Sequence, residues 1–424
     1  MRVYMKAILA AAGVAALATS ASAETIRVFA NSAHQIAFEG QGGQADASLA
    51  DAFERETGIK VVWETVPYPE MRQTMLRALA GRSAQYDVVM VENSWAVPSV
   101  LDKLVSVNSV ASPDQTDELA DIFPAMKGDF TQNGELKGVP IRSNPQIVHF
   151  NKKIFSERGI DVPISFEAML DAAEKASYKR SDGASIYGLA IKPNEDLISI
   201  VKALGGGIVS PNYEVLVDTP ETIAAIKRIR TLFDDGAIPP NFFSMDSASV
   251  QTLMREGLAA MTLFGDNYYL RFNDPNSSRI AGDAGFFAVP GEKDGSYAPT
   301  KVAFWSAALP ANADAESHAN GWKFIHYLAS PPVQLQMALN GNGPVSITTL
   351  HDPAFIDAAP YAAVSEIALD HASPLLPVFD GTAQIQDTFE QAAVAAILGK
   401  ETVEVAMSEV AAKIEKIIAS KRPE

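Results

Sequence analysis

Between residues 24 and 91 three strand-like runs alternate with two helical segments, and this alternation constrains the fold more than any other feature of the chain. The runs are TIRVFA at 25–30, IKVVWETV at 59–66 and YDVVMV at 86–91. Between them, the helical stretch 47–57 stops at Gly58. Residues 70–80 place Met71, Met75, Leu76 and Leu79 at helical spacing before Gly81. Strands joined through helices need right-handed crossovers, which build a mostly parallel sheet. The VVMV run has no polar alternation, as expected of a strand covered on both faces.

In such a sheet the loops beyond the carboxyl ends of the strands line a ligand crevice. Three loops qualify. The first (NSAHQ, 31–35) holds His34 and Gln35, the second holds Tyr68 between two prolines, and the third holds Glu92, Asn93, Ser94 and Trp95. Each has an ordinary structural explanation by itself: Asn31 can cap a turn, and Tyr68 can simply pack. Their coincidence at one sheet edge points to a site.

A second alternating block follows. GVP at 138–140 leads into a strand at 146–150, helices at 154–158 and 166–175, and the strand IYGLAI at 186–191. That strand ends in Lys192-Pro193-Asn194-Glu195. Residues 219–233 read as a helix with Pro220 in its first turn. A strand at 258–264 runs into Asp266, Asn267, Tyr268 and Tyr269. Strands at 286–289 and 302–309 and helices at 319–328 and 402–418 complete the pattern. The fold class is α/β, and 424 residues exceed what one core usually serves, so two domains are expected.

The first residues set the compartment. Arg2 and Lys6 flank the apolar run AILAAAGVAALA, and Ala21-Ser22-Ala23 offers a cleavage site after Ala23. The run falls short of the roughly 20 apolar residues a membrane span needs, so 1–23 reads as a cleavable signal peptide. There is no cysteine; stability must come from core burial, and no lipid-modified cysteine is available, which favours a free periplasmic protein. The chain has 34 basic and 51 acidic residues, and without Arg2 and Lys6 the balance is 32 against 51, a net of −19. Nucleic acid and anionic membrane surfaces repel such a protein.

Six segments occur in a fixed order: FERETGIKVVWETV, YDVVMV, GELKGVPIRSNPQIVHFNKKIFSERGIDVPISFEAMLDAAEKA, EGLAAMTLFGDNYY, WSAALPANADAESHANGWKFIHYLASPPVQ and LGKETVEVAMSEVAAKI. Together the chain resembles the carbohydrate-type extracellular solute-binding proteins of ABC importers, the group that includes maltose-binding protein. The resemblance implies a two-lobed periplasmic-binding-protein fold of type II, each lobe a mostly parallel sheet flanked by helices, with the ligand between the lobes. It implies crossings near 140–148, 262–266 and 327–332. The N-terminal lobe would then comprise 24–141 and 266–330, and the C-terminal lobe 142–265 and 331–424.

The same resemblance implies a binding protein rather than an enzyme, without cofactor or metal, monomeric, with a carbohydrate or derivative and a membrane permease as partners. Carried over position by position, it implies ligand contacts from His34, Gln35, Tyr68, Glu92, Asn93 and Trp95 on one wall. Asn144, Lys192, Asn194 and Glu195 face them, and Trp305 lies on the cleft floor. Asp266 and Asn267 stand where relatives often place a sugar-stacking aromatic, so one stacking platform is replaced here. Contacts from both lobes favour the closed state, and closure is the implied mechanism.

The residue types suit a sugar. Aromatic rings such as Trp95, Trp305 and Tyr68 accept its C–H faces, and carboxylates and amides accept or donate to its hydroxyls. Trp63, mid-strand, and Trp322, among Phe324 and Ile325, read as core. Arg142, Lys192, Lys301 and His34 leave a phosphorylated or sulfonated ligand open as an alternative. A secreted glycoside hydrolase would need paired carboxylates, for which Glu92 with Asp266 is one choice among many in so acidic a chain. No HExxH, GxSxG or phosphate-cradling loop accompanies them, and His318 and His326 are eight residues apart on one helix. A receptor feeding a two-component sensor would share the fold and the site.

Overall fold

The structure is a computed structural model that describes residues 24–40 and 48–422. The signal peptide expected at 1–23, with its cleavage point after Ala23, and residue 47 at the expected start of the second helix lie outside the described residues. Among the described residues the strands are β1 (Glu24–Ala30), β2 (Ile59–Thr65), β3 (Val88–Glu92), β4 (Thr131–Gln132), β5 (Glu135–Leu136), β6 (Val139–Asn151), β7 (Tyr178–Lys179), β8 (Ser185–Ala190), β9 (Ala259–Gly265), β10 (Ala284–Phe287) and β11 (Val302–Ala308). The main sheet has the order β2-β1-β3-β11-β6-β9-β8-β7, with β10 also on β6.

Local chemistry explains most element boundaries. The helix Leu49–Thr57 begins on Ser48, which accepts from Asp51 N, and stops at Gly58, left-handed at φ 74°. The helix Pro220–Asp234 begins on Thr219 with proline in its first turn. One expected loop is instead helical. Asn31 accepts from Ala33 N and His34 N, and the helix Ser32–Glu39 starts there, so the polar run after β1 is a capping box rather than an open loop.

Within each lobe the helix-connected strands run parallel: β1 with β2 and β3, and β8 with β9. The crossing strand β6 runs antiparallel to β11 of the first lobe and to β9 of the second, and β11 also runs antiparallel to β3. Two apolar cores result. One gathers Phe29, Phe53, Met90 and Phe324, and the other Phe166, Leu189, Met261 and Phe389.

The 13-residue strand β6 serves both lobes, pairing with β11 from Val139 to Pro145 and with β9 from Gln146 to Phe150. The ladder changes partner at Pro145, which has no N–H to donate. The other two crossings differ from those the resemblance implies. After β9 the chain stays with the second core through Phe272, Ile280, Ala284, Phe287 and Ala298, and it returns only at 298–302. Residues 327–332 join the helices Ala315–Ala329 and Pro331–Leu339, both of which pack in the first core through Leu328, Val333 and Met337. Pro331 and Pro332 open a helix there rather than mark an exit from the lobe.

The first core continues to Leu369 and the second resumes at Leu376, so the third crossing is 370–375. The three crossings lie side by side. Gln146 N donates to Lys301 O at 3.0 Å, Thr300 N to His371 O at 2.8 Å, and Ser373 N to Thr300 O at 3.0 Å. Adjacent crossing segments satisfy one another's backbone groups, which isolated connections could not. Residues 266–298 thus go with the second core and 331–369 with the first, opposite to the implied lobe boundaries.

Candidate functional site

Strand β3 is buried at every position and breaks into a 3-10 turn over Asn93–Trp95, which brings Glu92 to the edge of the sheet. Glu92 is 5% exposed, and its Oε2 accepts from Tyr68 Oη at 2.8 Å. Its second oxygen has no partner among the described residues. Burial pushes its carboxyl up to about 7, with Lys301 acting against the rise and Glu195 adding to it. Tyr68, in the first turn of the helix Tyr68–Ala80, is 53% exposed. Desolvation and then the Glu92 charge hold its phenol well above the usual range.

Lys301 comes from the second crossing and ion-pairs with Glu195 of the second lobe. Burial works against the Lys301 charge, but Glu195 and Glu92 more than restore it. Burial also opposes ionisation of Glu195, yet Lys301 and Lys192 together bring it below its ordinary value. Between these groups lies a cavity of about 80 Å³. The first lobe lines it with Glu92, Asn93, Ser94, Met126, Asp129 and Phe304, and the second with Glu195, Leu376, Thr382 and Gln386; Lys301, Ser373 and Leu375 come from the crossings.

Of the expected site residues, Glu92, Asn93 and Glu195 line this cavity, and Tyr68 joins it through Glu92. Asn93 has a structural duty as well: its Nδ2 donates to Asp129 Oδ2 at 3.1 Å and its Oδ1 accepts from Phe304 N at 3.2 Å. Trp95 and Trp305 were expected to offer open faces. They belong to the first core at 7% and 6% exposure, packed edge to face at 5.2 Å, with Tyr68 stacked on Trp95 at 6.0 Å. His34 is buried against Trp305, and its Nδ1 accepts from Asn31 N at 3.4 Å. Burial, then Arg142, drives its pKa well below the ordinary value, so the ring is neutral with its proton on Nε2.

The remaining expected residues lie around the cavity rather than on it. Gln35 donates along its own helix to Glu39 at 2.9 Å. Asn194 caps the helix Glu195–Ala203. Lys192 lies 3.7 Å from Asp196 and over the Phe264 ring. Asn144 lies against Gly265, where an added Cβ would fall 1.8 Å from its Oδ1. Arg142, in register with Trp305, forms no hydrogen bond or ion pair among the described residues; burial lowers its pKa, while Tyr268 and Asp266 support its charge. Asp266 is committed to Ser365 and to the backbone of Asn267, so the pair Glu92 and Asp266 does not frame a common cavity.

Sequence reasoning missed Asp129 and the loop 373–378, and noted Lys301 only as a cation. Asp129 reaches the site through Asn93, 36 residues away, and no local pattern marks it. The loop carried a readable sign: SPLLPV is apolar and bounded by prolines, yet belongs to no periodic element.

The profile of the bacterial extracellular solute-binding proteins matches residues 39–335. A Brucella abortus protein named only as a binding protein is 24% identical over 432 aligned positions that cover 99% of each chain. Among solved structures, the ribitol-bound ABC transporter solute-binding protein of Agrobacterium radiobacter K84 superposes with a TM-score of 0.78 at 20% identity, covering 93% of this chain and 98% of that one. Maltose-bound MalE3 of T. maritima gives 0.77 at 19% identity, covering 93% and 100%. These two likenesses establish the two-lobed fold.

Proposed function

The chain belongs to the bacterial extracellular solute-binding proteins, and from that premise we propose that it captures a small sugar or sugar derivative between its lobes and delivers it to an ABC permease. It binds its solute and returns it unchanged; it is not an enzyme. The observation that carries the reading is the inter-lobe cavity, where Lys301 on a crossing segment pairs with Glu195 of the second lobe and Glu92 of the first lobe lines the same space. A ligand bridging both walls has more partners in the closed state than in the open one, and that difference drives closure.

The lining suits a polyhydroxylated molecule. Carboxylates, an amide and a lysine take its hydroxyls, Tyr68 offers a half-exposed ring, and Phe304 and Leu375 take its C–H faces. His34, Trp95 and Trp305 act behind Tyr68, as the packed wall that fixes its position. Ribitol and maltose are bound by the two structural relatives named above. A phosphorylated or sulfonated ligand is not favoured, because the one lysine of the lining is already paired and the other charged lining groups are acidic.

The place of action is the periplasm, reached by cleavage after Ala23, without a lipid anchor and as a monomer. The absence of cysteine from the sequence and the small-residue site at 21–23 support the cleavage and the lack of a lipid anchor. No helix among the described residues is long and apolar enough to cross a membrane.

A thermal-shift screen of sugars, polyols and their charged derivatives tests the function. A ligand at a hundred times its dissociation constant adds about 2.7 kcal/mol of stability. A clear rise in melting temperature with at least one such compound is expected. A folded protein that responds to none of them would sink the reading.

A further inference from the structure

The charge around the cavity is one-sided. Glu92, Asp129 and Glu195 line it against Lys301, and Lys301 is already paired with Glu195. Arg142 and Lys192 are not among its lining residues. Glu92 and Asp129 therefore face the cavity with no cationic side chain in direct contact, Lys301 and Arg72 acting on Glu92 only through space. Glu92 accepts from the Tyr68 hydroxyl and Asp129 from the Asn93 amide, both neutral donors. One oxygen of each carboxylate has no partner among the described residues.

A carboxylate as buried as Glu92, at 5% exposure, loses most of its hydration, and neutral donors replace it only in part. A fully formed cation in the same cavity restores far more. An anionic ligand would meet repulsion, and the hydroxyls of a neutral sugar would give Glu92 further neutral donors but no countercharge. We infer that the solute carries an ammonium group beside its hydroxyls, as an amino sugar or amino polyol does, and that Glu92 receives this group, with Asp129 adding to the same negative field. The inference rests on the sugar-binding reading proposed above and narrows it.

The test compares matched pairs that exchange one hydroxyl for an ammonium group. Ribitol is set against 1-amino-1-deoxyribitol, glucose against glucosamine, and the other four- to six-carbon polyols and aldoses against their amino counterparts. Isothermal titration of the exported chain should show the amino member of at least one pair binding about ten-fold tighter or more, as a charge-assisted hydrogen bond supplies. Glu92→Gln should reduce that preference to about three-fold or less, with a smaller effect on the neutral member. Should Glu92→Gln fail to fold, Asp129→Asn at its more accessible position should still reduce the preference measurably.

Equal or tighter binding of the neutral members would overturn the inference and leave the sugar-binding reading standing. An amino preference that survives in Glu92→Gln and Asp129→Asn would overturn the assignment to these carboxylates. Silence from every pair would overturn the reading and the inference together.

Discussion

Glu92 and Asp266 hold corresponding places in the two lobes and have opposite fates. Each follows a core strand that ends at the cleft, VVMV in β3 and AAMTLFG in β9. Both are nearly inaccessible, at 5% and 2%, and burial pushes their carboxyls up to about 7 and about 6. Asp266 commits both oxygens to protein donors: Oδ2 accepts from Ser365 Oγ at 2.6 Å and Oδ1 from Asn267 N at 2.7 Å. Glu92 has one donor, the Tyr68 hydroxyl. Burial and residue type are alike, so the number of protein donors makes the difference. The satisfied acid braces the end of β9 to the first-lobe helix Ala362–Asp370, and the unsatisfied one lines the inter-lobe cavity.

The strongest way to break this comparison is at Trp305, the register partner of both Glu92 and Arg142. As a core residue, Trp305→Ala should cost about 3–5 kcal/mol of stability by denaturant titration. A variant that keeps its stability and loses only binding would move the indole from the core to the cleft surface.

Stability between pH 4.5 and 7 should differ between wild type and Glu92→Gln. The folded state holds the Glu92 proton to about 7, whereas the unfolded chain releases it near the ordinary 4.5. The contribution of this group is therefore fully present below pH 4.5 and lost as pH rises through 7. At about 1.4 kcal/mol per tenfold in proton affinity it is worth at most about 3–4 kcal/mol. Melting curves at several pH values should show a flatter profile for Glu92→Gln; identical profiles would mean that Glu92 is not desolvated.

At pH 7.5, single substitutions should divide the two acids by sign. Asp266→Ala leaves Ser365 without its acceptor and should destabilise the protein by about 1–3 kcal/mol. Glu92→Gln removes an under-solvated carboxylate and should leave stability unchanged or raise it. Equal losses at both positions would erase the distinction between brace and ligand group. The smallest effect belongs to Tyr68→Phe, at about 1 kcal/mol or less. It removes the hydrogen bond that favours the Glu92 carboxylate, so the Glu92 pKa should climb further, measurable by carboxyl-carbon NMR titration.

The parts of the fold legible in the sequence are those governed by neighbours along the chain. The VVMV strand, the stop at Gly58 and the start at Thr219-Pro220 follow from side chains within a few residues. The Asn31–His34 segment was misread because the same polar residues that decorate a loop also cap a helix. At the candidate site, the place of Glu92 and Glu195 beside the cavity was legible because each ends or follows a core strand. Asp129 and the loop 373–378 were not, because what brings them to the cavity is a contact with residues far along the chain. For Trp95 and Trp305 the residue type was readable, but which surface each ring covers depends on Tyr68 and His34 beside them.

By itself, the sequence determined the α/β class, the two cores, the strands that end at the cleft, and an acidic, cysteine-free composition. These depend on periodicity, capping and net charge, which act locally or additively along the chain. Tertiary structure alone decided which lobe receives 266–298 and 331–369, and which of two matching carboxylates is satisfied. Ser365 reaches Asp266 across 99 residues, and Lys301 reaches Glu195 across 106. Whether a buried charge braces the fold or waits for a ligand depends on such distant donors, because only the folded chain brings them within hydrogen-bonding distance.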